Sequence, residues 1–270
     1  MTPGDSNSSA VATERLEPVP LSQRPVSVGE HPIGLYPPGV LSMIAVVPET
    51  PLLVPELATG ATAETAQLRS AALAAVGELA ALSADWTVVG ADAGGRRSVG
   101  PDTRGTFVGF GVDVVVGMSP EAAGDVDAGL PLPLLVAGWL AAGRGVTLHG
   151  ELVAPDLPAA ECVALGAELA GAGRALLVVG DGSAKHSERA PGYLDERAAG
   201  FDEQVAEALG AGDPDALAAL DADVAEELWA VGRAPWQVLA GAARGAEWRS
   251  ELHYTGAPYG VGYHVAVWRR

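Results

Sequence analysis

The densest chemistry in the chain lies in the run Gly180-Asp-Gly-Ser-Ala-Lys-His-Ser-Glu-Arg-Ala-Pro-Gly-Tyr193. It holds the single lysine of the sequence, Lys185, and one of its five histidines, His186. Asp181, Ser183, Ser187, Glu188 and Arg189 stand beside them. An imidazole changes charge near neutral pH and can give or take a proton. Glycines at 180 and 182 let the backbone leave a strand tightly. His186 is therefore the candidate acid/base, with Lys185 and Asp181 as catalytic companions. A solvated turn-forming loop is the plain alternative. Position and composition together favour function, because loops held by a rigid scaffold carry most chemistry.

The position follows from the segment before it. Ala175-Leu-Leu-Val-Val-Gly180 is a short, continuous apolar run that ends in glycine. Such a run reads as a strand buried on both faces. Ser42–Val47 and Trp86–Gly90 have the same character. Ligands of open α/β sheets sit outside the carboxyl ends of such strands. Three loops qualify, at 48–55, 91–101 and 181–192. They bring Glu49 and Asp92 toward the same cleft as Asp181, Lys185 and His186.

Helical spacing recurs between these strands, over Glu64–Leu82, Leu134–Ala142, Pro158–Ala172, Leu194–Leu209, Pro214–Val231 and Pro235–Ala243. Asp213-Pro214 supplies an N-cap followed by a proline at the first helical position. Phe107–Gly117 reads as strand-like and Gly145–Val153 as extended. Glu251–Thr255 and Val261–Arg269 pair as terminal strands, with the last one at a sheet edge. An exposed edge is usually covered or paired, which points to a homodimer. The fold class expected is α/β: a single domain over 41–270, with a central mixed sheet flanked by helices. Residues 1–40 hold seven prolines and no clean periodicity, and read as a loosely packed extension.

Composition narrows the function classes. The formal net charge is −18, and a surface of that sign repels phosphate backbones and anionic lipid. Nucleic acid and membrane are thus not expected as partners, and a small-molecule ligand is. The one cysteine, Cys162, forms no intrachain disulfide and falls in an amphipathic stretch as a buried structural thiol. With no basic-then-apolar leader and no long apolar span, the expected compartment is the cytoplasm. No GxGxxG, GxxxxGK[ST] or GxSxG motif follows a strand, so nucleotide-binding and α/β-hydrolase readings lack their signatures. No HxH, HxxH or CxxC pair offers metal-ligand spacing. His149 reads as a structural histidine. His253 and His264 could face each other across the terminal hairpin, but read as ordinary strand residues.

Three segments in order resemble the class III extradiol ring-cleavage dioxygenase B-subunit family and, more distantly, the Memo family. They are Ile44-Ala-Val-Val-Pro-Glu-Thr-Pro-Leu-Leu-Val-Pro-Glu56, then Leu176–His186 with Tyr193 and Phe201-Asp202, and then Val231-Gly-Arg-Ala-Pro-Trp-Gln-Val-Leu-Ala-Gly241 with the tail Tyr254–Tyr263. The resemblance implies the B-subunit type of α/β fold. It also implies Fe(II) held by two histidines and a glutamate, with a third histidine as acid/base. Carried over residue by residue, only the acid/base histidine is present, as His186. Glu49 stands where the first ligand histidine would fall, and Ala91-Asp92 where the second would. Val231 and Gln237 stand in the region of the ligand glutamate. Glu49 and Asp92 are thus the candidate metal ligands, and Fe(II) binding is expected to be weak or absent. Two carboxylates with water could still hold a hard cation.

Three functions follow as alternatives. One is a diverged dioxygenase-like protein whose cleft takes a small, aromatic or phenolic molecule. Another is a non-catalytic Memo-like binding or scaffold protein that has lost the iron site. The third is a metal-independent acid/base enzyme using His186 with Asp181 or Glu188. Metal content would separate the first from the other two.

Overall fold

In the computed structural model, residue 1, residues 40–61 and residues 63–270 are described. The extension read over 1–40 lies outside them but for its end residues. The chain from Val40 onward is an α/β fold with a mixed central sheet flanked by helices. In chain order the elements are β1 (Met43–Val47), α1 (Ala66–Leu82), β2 (Asp85–Ala91), β3 (Arg97–Val99), β4 (Arg104–Thr106), β5 (Val115–Gly117), β6 (Val126–Asp127), α2 (Leu132–Ala141), β7 (Thr147–Val153), α3 (Ala159–Ala170), β8 (Ala175–Val179), α4 (Arg197–Ala211), α5 (Pro214–Ala218), α6 (Ala222–Glu227), α7 (Arg233–Ala243), β9 (Arg249–Gly256) and β10 (Tyr263–Arg269).

The main sheet runs β3-β7-β2-β8-β1-β10-β9. Its middle strands β7, β2, β8 and β1 are parallel, and β3, β10 and β9 join antiparallel. Alternation assigns the faces. Met43, Ala45, Val47, Leu177 and Val179 pack with α1 and α2 residues such as Leu68, Val76 and Leu134. Ile44, Val46, Leu176 and Val178 pack on the other side with Val205, Trp236 and Leu239 of α4 and α7. Both faces are covered, which explains the unbroken apolar runs of β1 and β8. Each such buried side chain contributes roughly 1.5–3 kcal/mol. On the second face α3 and α7 cross in close contact. A Cβ on Gly166 would collide with the Val238 carbonyl, and one on Gly241 with that of Val163.

Three expectations are corrected. The stretch 107–117 is not one strand. Thr106 caps a 3₁₀ turn at Phe107–Phe110 through the Val108 N–H, and Gly111 closes it at φ 95°. Only its end forms β5, in a small sheet ordered β5-β4-β6. The helix read over 214–231 is two helices, because Asp221 caps a new one by accepting the N–H groups of Asp223 and Val224. The terminal strand is not at a sheet edge: β10 is paired on both sides, and β9 is the edge. The edge argument for a homodimer on β10 therefore fails. His253 does not face His264, since His264 pairs with Thr255 and the register shifts between Val265 and Ala266. Among the described residues, no helix is long and apolar enough to cross a membrane.

Candidate functional site

The loops after β1, β2 and β8 leave the sheet at one end, because these strands are adjacent and parallel. The long loop after β8 is knitted to two others. Gly182 and Ser183 exchange N–H and carbonyl bonds with Gly262 at 2.7 and 2.8 Å. The His186 N–H donates to the Gly260 carbonyl at 3.1 Å, and the Ala184 N–H to that of Leu228 at 3.0 Å. Gly232 donates to the Asp181 carbonyl at 2.8 Å. Regular structure is absent from the loop, yet its backbone is pinned at each turn.

The side chain of His186 meets Asp202, which projects from the buried face of α4. His186 Nε2 lies 2.5 Å from Asp202 Oδ2. Asp202 is 6% exposed, and its carboxylate also accepts the Ser183 N–H at 3.1 and 3.2 Å. His264 Nε2 approaches Oδ1 at 3.5 Å, while its Nδ1 is 3.0 Å from the Thr255 hydroxyl. The ring of His264 stands edge-on to Trp236 at 5.9 Å. Gly182 and Gly262 make the close approach possible, since a Cβ on either would overlap the Asp202 carboxylate. The His186 side chain keeps 17% of its surface exposed, and its Nδ1 has no hydrogen bond to the described residues. With Asp202 charged, Nε2–H donates to it and Nδ1 is left as the free base.

A second group lies at the ends of β1, β2 and β8. The Glu49 N–H donates to Asp181 Oδ1 at 2.6 Å. Burial, with the charges of Asp181 and Asp92, raises the Glu49 carboxyl well above its usual range. Its Oε2 is buried with no hydrogen-bond partner. Burial likewise pushes Asp181 up to about 7; the Glu49 N–H opposes this and the charge of Asp202 adds to it. Asp92 is turned partly outward, with Arg97 at 3.4 Å. Beside them the Tyr263 hydroxyl meets the Thr50 hydroxyl at 3.1 Å, and burial followed by the charge of Asp181 raises that phenol.

Glu49 thus lies close enough to Asp181 and Asp92 to feel their charges, and Asp181 feels that of Asp202. Lys185 lies elsewhere. Its ammonium sits 5.3 Å over the Trp229 ring, and the carboxylate that feels its charge is Asp195. The residues do not fit an iron centre. No group of three His, Cys, Asp or Glu among the described residues is placed to hold a metal ion. Glu49 and Asp92 supply carboxylate only, whereas the facial triad needs two imidazoles. Gln237, in the region of the expected glutamate ligand, is turned into the core. It accepts from Arg233 and donates to the Ala218 and Leu220 carbonyls.

Sequence reading singled out His186 but missed the role of Asp202 and the contribution of His264. Asp202 interrupts the apolar face Ala198, Phe201, Val205, Leu209 of α4, and that interruption was the available signal. His264 carried none, since a lone histidine in a strand is most often structural.

No family model matches the sequence, and no curated protein matches it. Among solved structures, the chain is similar to an uncharacterized protein, JW3007, from Escherichia coli K12, with a TM-score of 0.49 and 14% identity over 85% of this chain and 100% of that one. A likeness at that level says nothing about chemistry.

Proposed function

We propose that this chain is a diverged relative of the class III extradiol dioxygenases that handles protons on a small phenolic or enolic molecule without the family's iron. The observation that carries the reading is the pair His186 Nε2–Asp202 Oδ2 at 2.5 Å. A buried carboxylate fixes the imidazole, and the opposite nitrogen, at a partly exposed position, has no hydrogen-bond partner among the described residues. That is the arrangement of a base–orienter pair. The ligand would stand against Nδ1 and give its hydroxyl proton to it. Glu49 and Asp181, held toward their protonated forms by burial, would donate hydrogen bonds to the oxygen so produced. Carboxyls pushed toward their neutral forms suit the arrival of an uncharged phenol.

The test is direct. Ring resonances of His186 are followed by NMR while catechol, dihydroxybenzoate and enolisable keto acids are added. A saturable shift at His186 that disappears in Asp202→Asn supports the reading. If none of these molecules perturbs His186, the cleft is not a phenol site, and the Memo-like binding alternative gains. Anaerobic titration with Fe(II) is the companion measurement. Tight, stoichiometric iron together with ring opening would overturn the metal-free form of the proposal.

A further inference from the structure

Trp229 occupies a position that helices normally give to glycine. Leu228 caps the C-terminus of α6, the Trp229 N–H donates to the Glu226 carbonyl at 3.0 Å, and the Ala230 N–H to that of Ala225 at 2.8 Å. These two bonds form a Schellman closure, in which the residue after the cap is left-handed and usually glycine. Trp229 takes that conformation at φ 57°. A side chain held there is strained, as it is at Tyr193 and Tyr259, and residues held in this way gather at functional sites. Nor does burial explain the residue, because Trp229 is 53% exposed.

The exposed ring walls a groove of about 670 Å³, a volume in the range of small-molecule sites. Val231 and Ala93 complete its apolar side, and Asp156, Asp223 and Glu226 are its acidic lining. These three carboxylates have no side-chain hydrogen bond or ion pair among the described residues. The one cation lining the groove, Arg233, is 2% exposed, and its terminal nitrogens are taken by the Pro155 and Leu157 carbonyls and Gln237. Nearby cations are engaged as well: Arg97 with Asp92, and Lys185 against the Trp229 ring. The ring therefore already attracts an ammonium, and the groove beside it has an excess of negative charge.

We propose that this groove binds a small organic ammonium ion, with its apolar body against Trp229 and its charge among Asp156, Asp223 and Glu226. Aromatic face and carboxylate rim are the two elements that recognise such cations. Neither His186 nor Asp202 lines this groove, and an ammonium site there goes beyond the acid/base reading.

The probe is benzylamine, with benzyl alcohol as its uncharged counterpart, read by calorimetry and ligand NMR on the full chain. Benzylamine should bind at least about tenfold more tightly than the alcohol. Trp229→Gly should lose about tenfold in affinity while its unfolding midpoint stays level or rises, because glycine relieves the left-handed strain. The exposed triple change Asp156→Asn, Asp223→Asn, Glu226→Gln should weaken binding by a similar factor and flatten its salt dependence. Unchanged affinity in both variants would overturn the proposal. So would equal binding of the alcohol, no binding at millimolar benzylamine, or displacement of the amine by calcium chloride at low concentration. A lysine-containing tripeptide that binds far more tightly than benzylamine would overturn the small-molecule assignment in favour of a peptide.

Discussion

Two sets of buried carboxylates stand at the same end of the sheet, and they are treated differently. Asp202 is surrounded by donors: the Ser183 N–H, the His186 ring and the His264 ring. Glu49 and Asp181 are surrounded by each other, with one N–H bond between them and one oxygen left without a partner. In the first place the protein surrounds a carboxylate with hydrogen-bond donors. In the second it withholds them, so the carboxyls are driven toward their neutral forms. One fold end thus presents an anchored imidazole and, beside it, carboxyls pushed toward their neutral forms. Separation of that kind is what assigns acid and base roles to residues of similar chemistry.

The strongest challenge to this contrast is to remove Asp202. Asp202→Ala leaves the Ser183 N–H and two imidazoles without their acceptor in a buried place, and should cost on the order of 3 kcal/mol. Urea unfolding measures it. Asp202→Asn keeps an acceptor and should cost less. A loss below about 1 kcal/mol for the alanine variant would mean that the carboxylate is not the anchor described here.

The second challenge concerns the other set, and its sign is opposite. The Asp181 carboxyl titrates near 3.8 when free and is raised to about 7 in the fold. Below the lower value it is protonated in both states, and its contribution to stability is whole. As pH rises toward the higher value the unfolded chain releases the proton first, so the native state loses stability through that window. Asp181→Asn removes the ionisable group yet keeps an acceptor for the Glu49 N–H. Variant and parent should match at the acid end of the window, and the variant should gain on the order of 2 kcal/mol as neutrality is reached. Thermal melts at stepped pH show it. A difference that stays flat with pH would show that Asp181 is not held protonated by its surroundings.

Much of the scaffold was legible because its signals are local. The apolar runs at 42–47, 86–90 and 175–180 read as strands covered on both faces, and β1, β2 and β8 stand there. Asp213-Pro214 marked a helix start, and α5 begins there. What was not legible depends on distance. The break at Leu220-Asp221 needs Asp221 to turn back on its own following N–H groups, which competes closely with continuing the helix. The place of β10 inside the sheet depends on pairing with β1, more than two hundred residues away. The site shows the same division. His186 was found from its loop, since a histidine after a buried strand is visible in sequence. Its partner Asp202 lies on the next helix and becomes meaningful only when Gly182 and Gly262 bring their backbones against it. Lys185 was expected among the carboxylates because its loop leaves the same end of the sheet, and its ammonium stands over the Trp229 ring.

The smallest expected effect on stability is also the one that separates function from fold. His186→Ala deletes the imidazole but not the backbone N–H that joins residue 186 to the Gly260 carbonyl. Asp202 keeps the Ser183 N–H and the approach of His264. The site is partly open, so water can reach the space left behind. The cost should be about 1 kcal/mol, well under that of Asp202→Ala, because the donor removed is one of several. Binding and proton transfer on a phenolic ligand should nevertheless be lost, since Nδ1 is the nitrogen proposed to meet it. Paired denaturation curves and ligand titrations on the two variants make the comparison. Equal, large losses of stability in both would make His186 part of the structural anchor of the loop, and the acid/base role would fall with it.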